Sequence, residues 1–219
     1  MLQVCWSPKG GSGTSVVAAA LAVQAAAKGR DALLVDLGGD QSAIFGVEGG
    51  EGIGDWFAAP DDVGPDALRS LEVDVGDRLR LLRTGRASTA QWSPERMAVA
   101  MTLFESSLDL VVVDAGRQTG CGLPGGAATV VVTRACYLGV RRVADAPRGR
   151  SRVVVIEEPG RALSRGDIDA ALGGVDVVLQ WDPAVARAVD AGLLASRVPR
   201  SLRPLRRLLE PEPTARAWA

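Results

Sequence analysis

Histidine is absent from the 219 residues. Its absence removes imidazole as a general base and as a metal ligand, and no other side chain titrates unperturbed near neutral pH. Aromatic residues make up only 4% of the chain, so a core has to be built from aliphatic side chains. Lysine occurs twice, at Lys9 and Lys28, among 25 basic residues. Cysteine occurs three times, as Cys5, Cys121 and Cys136, an odd number without C-x-x-C spacing, which fits neither a disulfide framework nor a thiolate zinc site. A reducing cytoplasm suits these thiols, and Cys5 and Cys136 read as packing residues. The chain has no apolar run of membrane-spanning length, and the opening MLQVCW is too short for the apolar part of a signal sequence. Secretion and membrane spanning are therefore not expected, and a cytoplasmic location is.

What is present describes a packed domain. Hydrophobic residues reach 47% and charged residues 23%, and the length suits one generous core. We expect a single domain over residues 1–209 and a flexible tail at 210–219, where prolines recur. Net charge is −1, which argues against a general polyanion binder, but the charges are unevenly placed. Residues 1–116 carry 9 basic and 16 acidic side chains, and residues 117–219 carry 16 basic and 10 acidic. In one folded body this asymmetry makes either a basic face, open to nucleic acid, or a scatter of solvated arginines.

Short apolar runs alternate with stretches of helical spacing, the pattern of parallel strands covered by helices on both faces. The expected fold class is α/β, a three-layer α/β/α arrangement with a mostly parallel central sheet of about seven strands. The strands are placed at Leu2–Trp6, Ala32–Asp36, Leu79–Leu82, Leu110–Asp114, Ala128–Thr133, Arg152–Ile156 and Val175–Leu179. Thr14–Lys28 is Ala-rich, apolar almost all round and closed by Gly29, and so predicts a buried helix. Ser93-Pro94-Glu95 supplies a cap, a first-turn proline and an early acid for a helix running to Leu108. The stretch from Gln41 to Ser70 is turn-rich and shows no single period.

The first strand runs into KGGSGTS, Lys9–Ser15, and then into the first helix. Strand, glycine-rich turn and helix together form the context in which backbone N–H groups and a positive helix end converge on one anion. An ordinary glycine-rich turn uses the same residue types. What points to a phosphate loop of P-loop NTPase type is the company of Asp36 and Asp114, each at the end of a buried strand. On that reading Lys9, Gly10, Gly11, Ser12, Gly13, Thr14 and Ser15 bind a nucleotide, and the Ser15 hydroxyl stands where Mg²⁺ is held. The pattern G-x-x-x-x-G-K-[ST] asks for lysine where this sequence has Thr14. A charge-assisted hydrogen bond is worth roughly 1.5–3 kcal/mol, so the loss predicts about 10- to 100-fold weaker binding and a larger penalty on phosphoryl transfer.

KGG-x-G-[KT]-[ST] resembles the deviant Walker A motif of the ParA/MinD family of P-loop ATPases. The resemblance extends over roughly residues 2–208. It implies that Lys9 is the early lysine that reaches the nucleotide of the partner subunit, in a homodimer that binds ATP with Mg²⁺. Ala32–Asp36 resembles the second strand of the family, whose V-D-x-D pattern supplies acids near the attacking water. Here Asp36 matches the first acid, Gly38 stands where the second belongs, and Asp40 follows two positions later. Lys9, Asp36 and Asp40 are thereby implied as catalytic. Leu110–Asp114 resembles the Walker B strand, with Ser15 and Asp114 implied at the metal. Where the family often carries an asparagine that reads adenine, this chain has Glu157-Glu158-Pro159. The late segment Val177–Gly192 is also similar to the family's closing strand, turn and helix.

Loss of the loop lysine, together with Gly52–Phe57 and LRLLRTGR at Leu79–Arg86, is similar to the TadZ/CpaE-like branch, which localises pilus machinery, and to the septum-site-determining-like branch. The function so implied is a nucleotide-binding positioning or partitioning protein, an ATP-responsive dimer with weak or no hydrolysis, whose protein partner belongs to a pilus, septum or partition system. An active Mg²⁺-dependent ATPase and a nucleotide-free pseudo-ATPase scaffold stay open beside it. So do rival roles for two acids. Asp36 is either an acid acting on water or a cap on a neighbouring loop, and Asp114 either serves Mg²⁺ or braces the loop amides. Arg197–Arg207 is either a basic stretch that meets nucleic acid or an anionic membrane, or a terminal helix docked on the domain. Trp56, Trp92, Trp181 and Trp218 lack the spacing of a stacking platform and read as core or interface residues.

Overall fold

In strand β5, Leu110–Asp114, alternate residues enter two different cores. Leu110 and Val112 join one hydrophobic layer, Val111 and Val113 the other, and all four are fully buried. A strand apolar on both faces belongs in the middle of a sheet covered by helices on both sides. The computed structural model that shows this describes residues 1–60, 62–87, 93–117, 127–147, 149 and 151–210.

Around β5 the sheet contains β1 (Leu2–Trp6), β2 (Ala32–Asp36), β3 (Glu72–Gly76), β4 (Leu79–Leu82), β6 (Ala128–Arg134), β7 (Arg152–Glu157) and β8 (Val177–Gln180). Its order is β3-β4-β2-β5-β1-β6-β7-β8. Every pairing is parallel except β3 with β4. The sheet therefore has eight strands where about seven are expected. The extra one, β3, reads EVDVG, alternating valines with an acid and ending in glycine, and is largely half-buried or exposed at the sheet edge. It lacks the continuous apolar run that marks a central parallel strand. The tight connection to β4 places Arg78 at φ 56°.

One face of the sheet is covered by α1 (Thr14–Ala26), α2 (Gln41–Phe45), α8 (Pro183–Asp190) and a C-terminal 3-10 helix (Arg200–Leu209). The other is covered by α3 (Ile53–Ala58), α4 (Pro65–Ser70), α5 (Pro94–Ser107), α6 (Tyr137–Asp145) and α7 (Arg165–Leu172). The expected three layers are present. Alanine dominates α1 and most of its residues are buried, because small side chains let the helix approach the sheet closely. It ends two residues before the expected Lys28, and Gly29 follows at φ 82°. The Ser93 hydroxyl caps α5 by accepting the Arg96 amide at 3.0 Å. Trp56 is buried, with the Arg96 guanidinium carbon 4.1 Å from its ring centroid, whereas Trp181 is half exposed. Trp92, Trp218, Cys121 and the expected tail after Glu210 lie outside the described residues.

The segment around Arg200–Leu209 docks on the domain. Leu202, Leu205, Leu208 and Leu209 are buried in the α1 layer while Arg203, Arg206 and Arg207 stay in solvent. Gln24 Nε2 donates to the Leu202 carbonyl at 3.1 Å, Arg152 Nη2 to Leu208 O at 2.7 Å and Arg30 Nη1 to Leu209 O at 3.2 Å. A 3-10 helix tolerates Pro204, and its open carbonyls are met by these side chains. No helix among the described residues is long and apolar enough to cross a membrane. Replacing the fully buried Leu205 by alanine removes the centre of this clamp. The expected loss is about 2–5 kcal/mol in urea unfolding.

Candidate functional site

Strand order assembles the site. β5 lies between β1 and β2, with Asp114 in register with Cys5 on one side and Asp36 on the other. The carboxyl ends of three parallel strands therefore open into one crevice. The chain leaves β1 toward β2 on one side while β6 lies on the other, which makes this a switch point of the kind where open α/β sheets bind ligands.

The loop after β1 is folded by its own hydroxyls. Ser7 Oγ accepts the Lys9 amide at 3.2 Å, and Ser12 Oγ donates to Lys9 O at 2.7 Å. Gly11 and Gly13 sit at φ 71° and 89°, a left-handed region that side chains with a Cβ rarely adopt. A Cβ on Gly13 would also stand 2.6 Å from Ile156 Cδ1 at the end of β7. The first bond of the α1 ladder runs from the Val17 amide to Gly13 O at 3.0 Å, so the amides of Thr14, Ser15 and Val16 precede it at the positive end of the helix dipole. The residue at the cap position, Gly13, has no side chain with which to cap that end. A glycine-lined turn leading into an open helix N-terminus fits an anionic phosphate.

Around this cradle the structure brings together Ser15, Asp36, Asp40 and Asp114. Ser15 Oγ donates to Asp40 Oδ2 at 3.3 Å. Asp36 is buried and accepts three backbone amides: Gly38 at 3.0 Å and Gly39 at 2.6 Å on Oδ1, and Gln41 at 3.0 Å on Oδ2. Burial pushes its carboxyl above the ordinary range while the amides pull it back. This is the loop-capping arrangement for Asp36, and it fixes the backbone that carries Asp40. Asp114 is fully buried. Its Oδ1 accepts the Gly116 amide at 3.0 Å and its Oδ2 accepts Gln41 Nε2 at 2.7 Å. Burial raises this carboxyl to about 6, opposed by the Gln41 and Ser15 side chains and reinforced by nearby Asp36.

Gln41 is a residue that sequence reasoning missed. It is buried at the start of α2, and the Nε2 that reaches Asp114 also donates to Ser15 O at 3.0 Å, while its Oε1 is buried without a partner among the described residues. Its proximity to Asp40 in the chain gives no hint of this, because the contact depends on the turn that Asp36 caps. Gly38 lies close by: a Cβ there would meet Asp114 Oδ2 at 3.1 Å. Lys9 Nζ donates to Gly10 O at 3.2 Å, within its own loop. At the end of β7, Glu158 is held below the usual carboxylate range by Arg161, with Arg134 Nη1 at 2.6 Å also contributing, and Glu157 accepts from Gln180 Nε2 at 2.6 Å.

Among the described residues no group of three or more His, Cys, Asp and Glu side chains could hold a metal ion. Mg²⁺ does not require one, since it keeps several waters and uses one or two protein oxygens together with phosphate. Ser15 and Asp114 fit that donor set. The division of labour between the acids has a measurable consequence. Asp36→Ala leaves three amides without their acceptor and is expected to lose about 2–4 kcal/mol in urea unfolding, whereas Asp40→Ala should stay within about 0.5 kcal/mol of the parent.

The chain matches no protein-family model and no curated protein. Solved structures do match it. A ParA family ATPase from Chlorobium tepidum superposes with a TM-score of 0.76 at 20% identity, over 95% of this chain and 98% of that one. The septum site-determining protein MinD of Pyrococcus horikoshii, complexed with Mg-ADP, gives 0.73 at 17% identity over 95% and 93%. MinD in the MinC:MinD cell division complex of Aquifex aeolicus gives 0.74 at 20% identity over 98% of both chains. What such identities establish is the architecture: the chain has the three-layer P-loop NTPase fold of the ParA family ATPases and MinD, along almost its whole length.

Proposed function

We propose that the chain is a nucleotide-responsive positioning protein of the ParA/MinD type, which binds ATP with Mg²⁺ at the Gly10–Ser15 loop and pairs with a second copy of itself, with weak or no hydrolysis. The observation that carries this reading is the meeting, in one crevice, of an uncapped α1 N-terminus behind left-handed glycines with Ser15 and Asp114. Lys9 is the charge offered to the partner's nucleotide, Ser15 and Asp114 hold Mg²⁺ and its water shell, and Asp36 and Asp40 are the acids nearest the reacting phosphate. Mg²⁺, when bound, spreads charge away from the phosphate oxygens. Binding of this kind biases an assembly by its differential affinity for two states, and turnover is not needed for that. A protein partner of the pilus, septum or partition kind completes the proposal.

A nucleotide-free scaffold is the second reading. It is favoured by Gln41, whose amide already supplies Asp114 with a donor inside the protein. Calorimetry with ATP and Mg²⁺ separates the two, since a scaffold gives no binding heat. On the first reading Thr14→Lys should tighten ATP binding by roughly 10- to 100-fold, the value of one charge-assisted contact; unchanged affinity there would count against an open cradle. Lys9→Ala should abolish ATP-dependent dimerisation in sedimentation velocity while leaving monomer folding intact. Dimerisation that persists in that variant removes the cross-subunit role.

A further inference from the structure

The sequence removes one cation from the cradle, and the fold returns another that no loop motif contains. Arg117 is the third residue past Asp114. The turn that carries it is fixed at two points: the Gly116 amide donates to Asp114 Oδ1 at 3.0 Å, and Gly116 O accepts the Ser7 amide at 2.9 Å. Gly116 takes φ 55°, and the chain turns back toward the start of the phosphate loop. The Arg117 side chain then lies across Gly10. A Cβ built on Gly10 would sit 3.1 Å from Arg117 Cδ and 3.7 Å from its Nε. Gly10 is not among the glycines at positive φ, so its conformation does not demand glycine. A side chain there would instead crowd the arginine, which would have to shift by a few tenths of an ångström.

Three carboxylates, Asp36, Asp40 and Asp114, gather around Ser15, while Lys9 Nζ is held on the Gly10 carbonyl. Arg117 is exposed and has no carboxylate partner among the described residues. A guanidinium cannot lose its proton and presents a planar fork of donors that matches two phosphate oxygens.

We propose that Arg117 is the phosphate-binding cation that replaces, from the end of β5, the lysine lost at Thr14. The ligand class is a nucleoside polyphosphate, and the proposal rests on the nucleotide reading given above. The role is a binding one, with no change of covalent bonds.

The test is calorimetry of ATP with Mg²⁺ on the full chain and its variants. Arg117→Ala is expected to weaken binding by roughly 10- to 100-fold, and Arg117→Lys to recover part of the loss. Because either cation serves the same phosphates, Arg117→Ala should cost clearly less in the Thr14→Lys background than in the parent. A merely structural arginine would cost the same in both backgrounds. Circular dichroism of each variant checks folding, which an exposed side chain should not disturb. Undiminished binding by Arg117→Ala, or a loss of equal size with Thr14 and with Thr14→Lys, overturns this proposal alone. Absence of ATP binding by the parent chain overturns the nucleotide reading and this one with it.

Discussion

A carboxylate that is fully removed from solvent has to be satisfied by its surroundings, and Asp114 is such a group at the centre of the sheet. An unpaired buried charge is costly enough that the structure either supplies donors or protonates the acid, and here both tendencies are visible. Gln41 Nε2 and the Gly116 amide supply donors, and the carboxyl is nonetheless pushed up to about 6. Each donor belongs to a different segment. Gln41 ties the acid to α2 and, through Ser15 O, to the first turn of α1; Gly116 ties it to the exit of β5 and, through Ser7, to the start of the phosphate loop. Satisfying one acid therefore holds three loops in register at one end of the sheet.

The same arrangement sets an electrostatic problem. Asp36, Asp40 and Asp114 meet at the mouth of α1, and a polyphosphate entering there adds more negative charge. Helix-end amides offer only partial charges, equivalent to about half an elementary charge. Full cations have to come from outside the helix. Mg²⁺ is one, and its approach requires the Asp114 environment to accept it beside Gln41. On the proposed reading the others are Lys9 of the second copy and Arg117 of the same chain. Their placement differs from that of a loop lysine in one respect: both side chains come from outside the first turn of α1, and both are partly or fully exposed. A site of that kind trades affinity for response, which suits a switch better than a store.

Much of the frame was legible in the residues. Seven strands fall within two residues of their expected bounds, because buried parallel strands are written as unbroken apolar runs, and α1 is written as a run of alanines closed by Gly29. The edge strand Glu72–Gly76 was not legible, since half its surface faces water and its period is broken by acids. The short helices α2, α3 and α4 between Gln41 and Ser70 were equally hidden; five or six residues are too few to show a helical period, and tertiary contacts such as buried Ile44, Ile53 and Trp56 hold them. In the site, the glycine loop and the acids Asp36 and Asp114 stood out by motif. Gln41 and Arg117 did not. One arginine among many carries no local signal, and its relation to Gly10 exists only because β5 is inserted beside β1.

Glycine at position 38, where the family resemblance leads one to expect a second acid, has a physical logic of its own. Gly38 passes so close to Asp114 that a Cβ would lie 3.1 Å from its carboxylate oxygen, and a carboxylate at the end of that side chain would confront one that is already hard to ionise. Glycine relieves both the crowding and the like-charge repulsion. Asp40, two residues on, reaches Ser15 at the rim of the crevice instead. Asp36, meanwhile, is buried and has both oxygens engaged by backbone amides, so its lone pairs are turned to its own loop rather than to a water. On the proposed reading, an arrangement in which Asp36 is engaged, position 38 carries no acid and Asp40 faces the Ser15 hydroxyl is one in which ligand can be gripped while the step that activates water is poorly served. That is the physical content of the weak turnover proposed for this chain: Asp36, the acid that the motif offers, is committed to holding its loop.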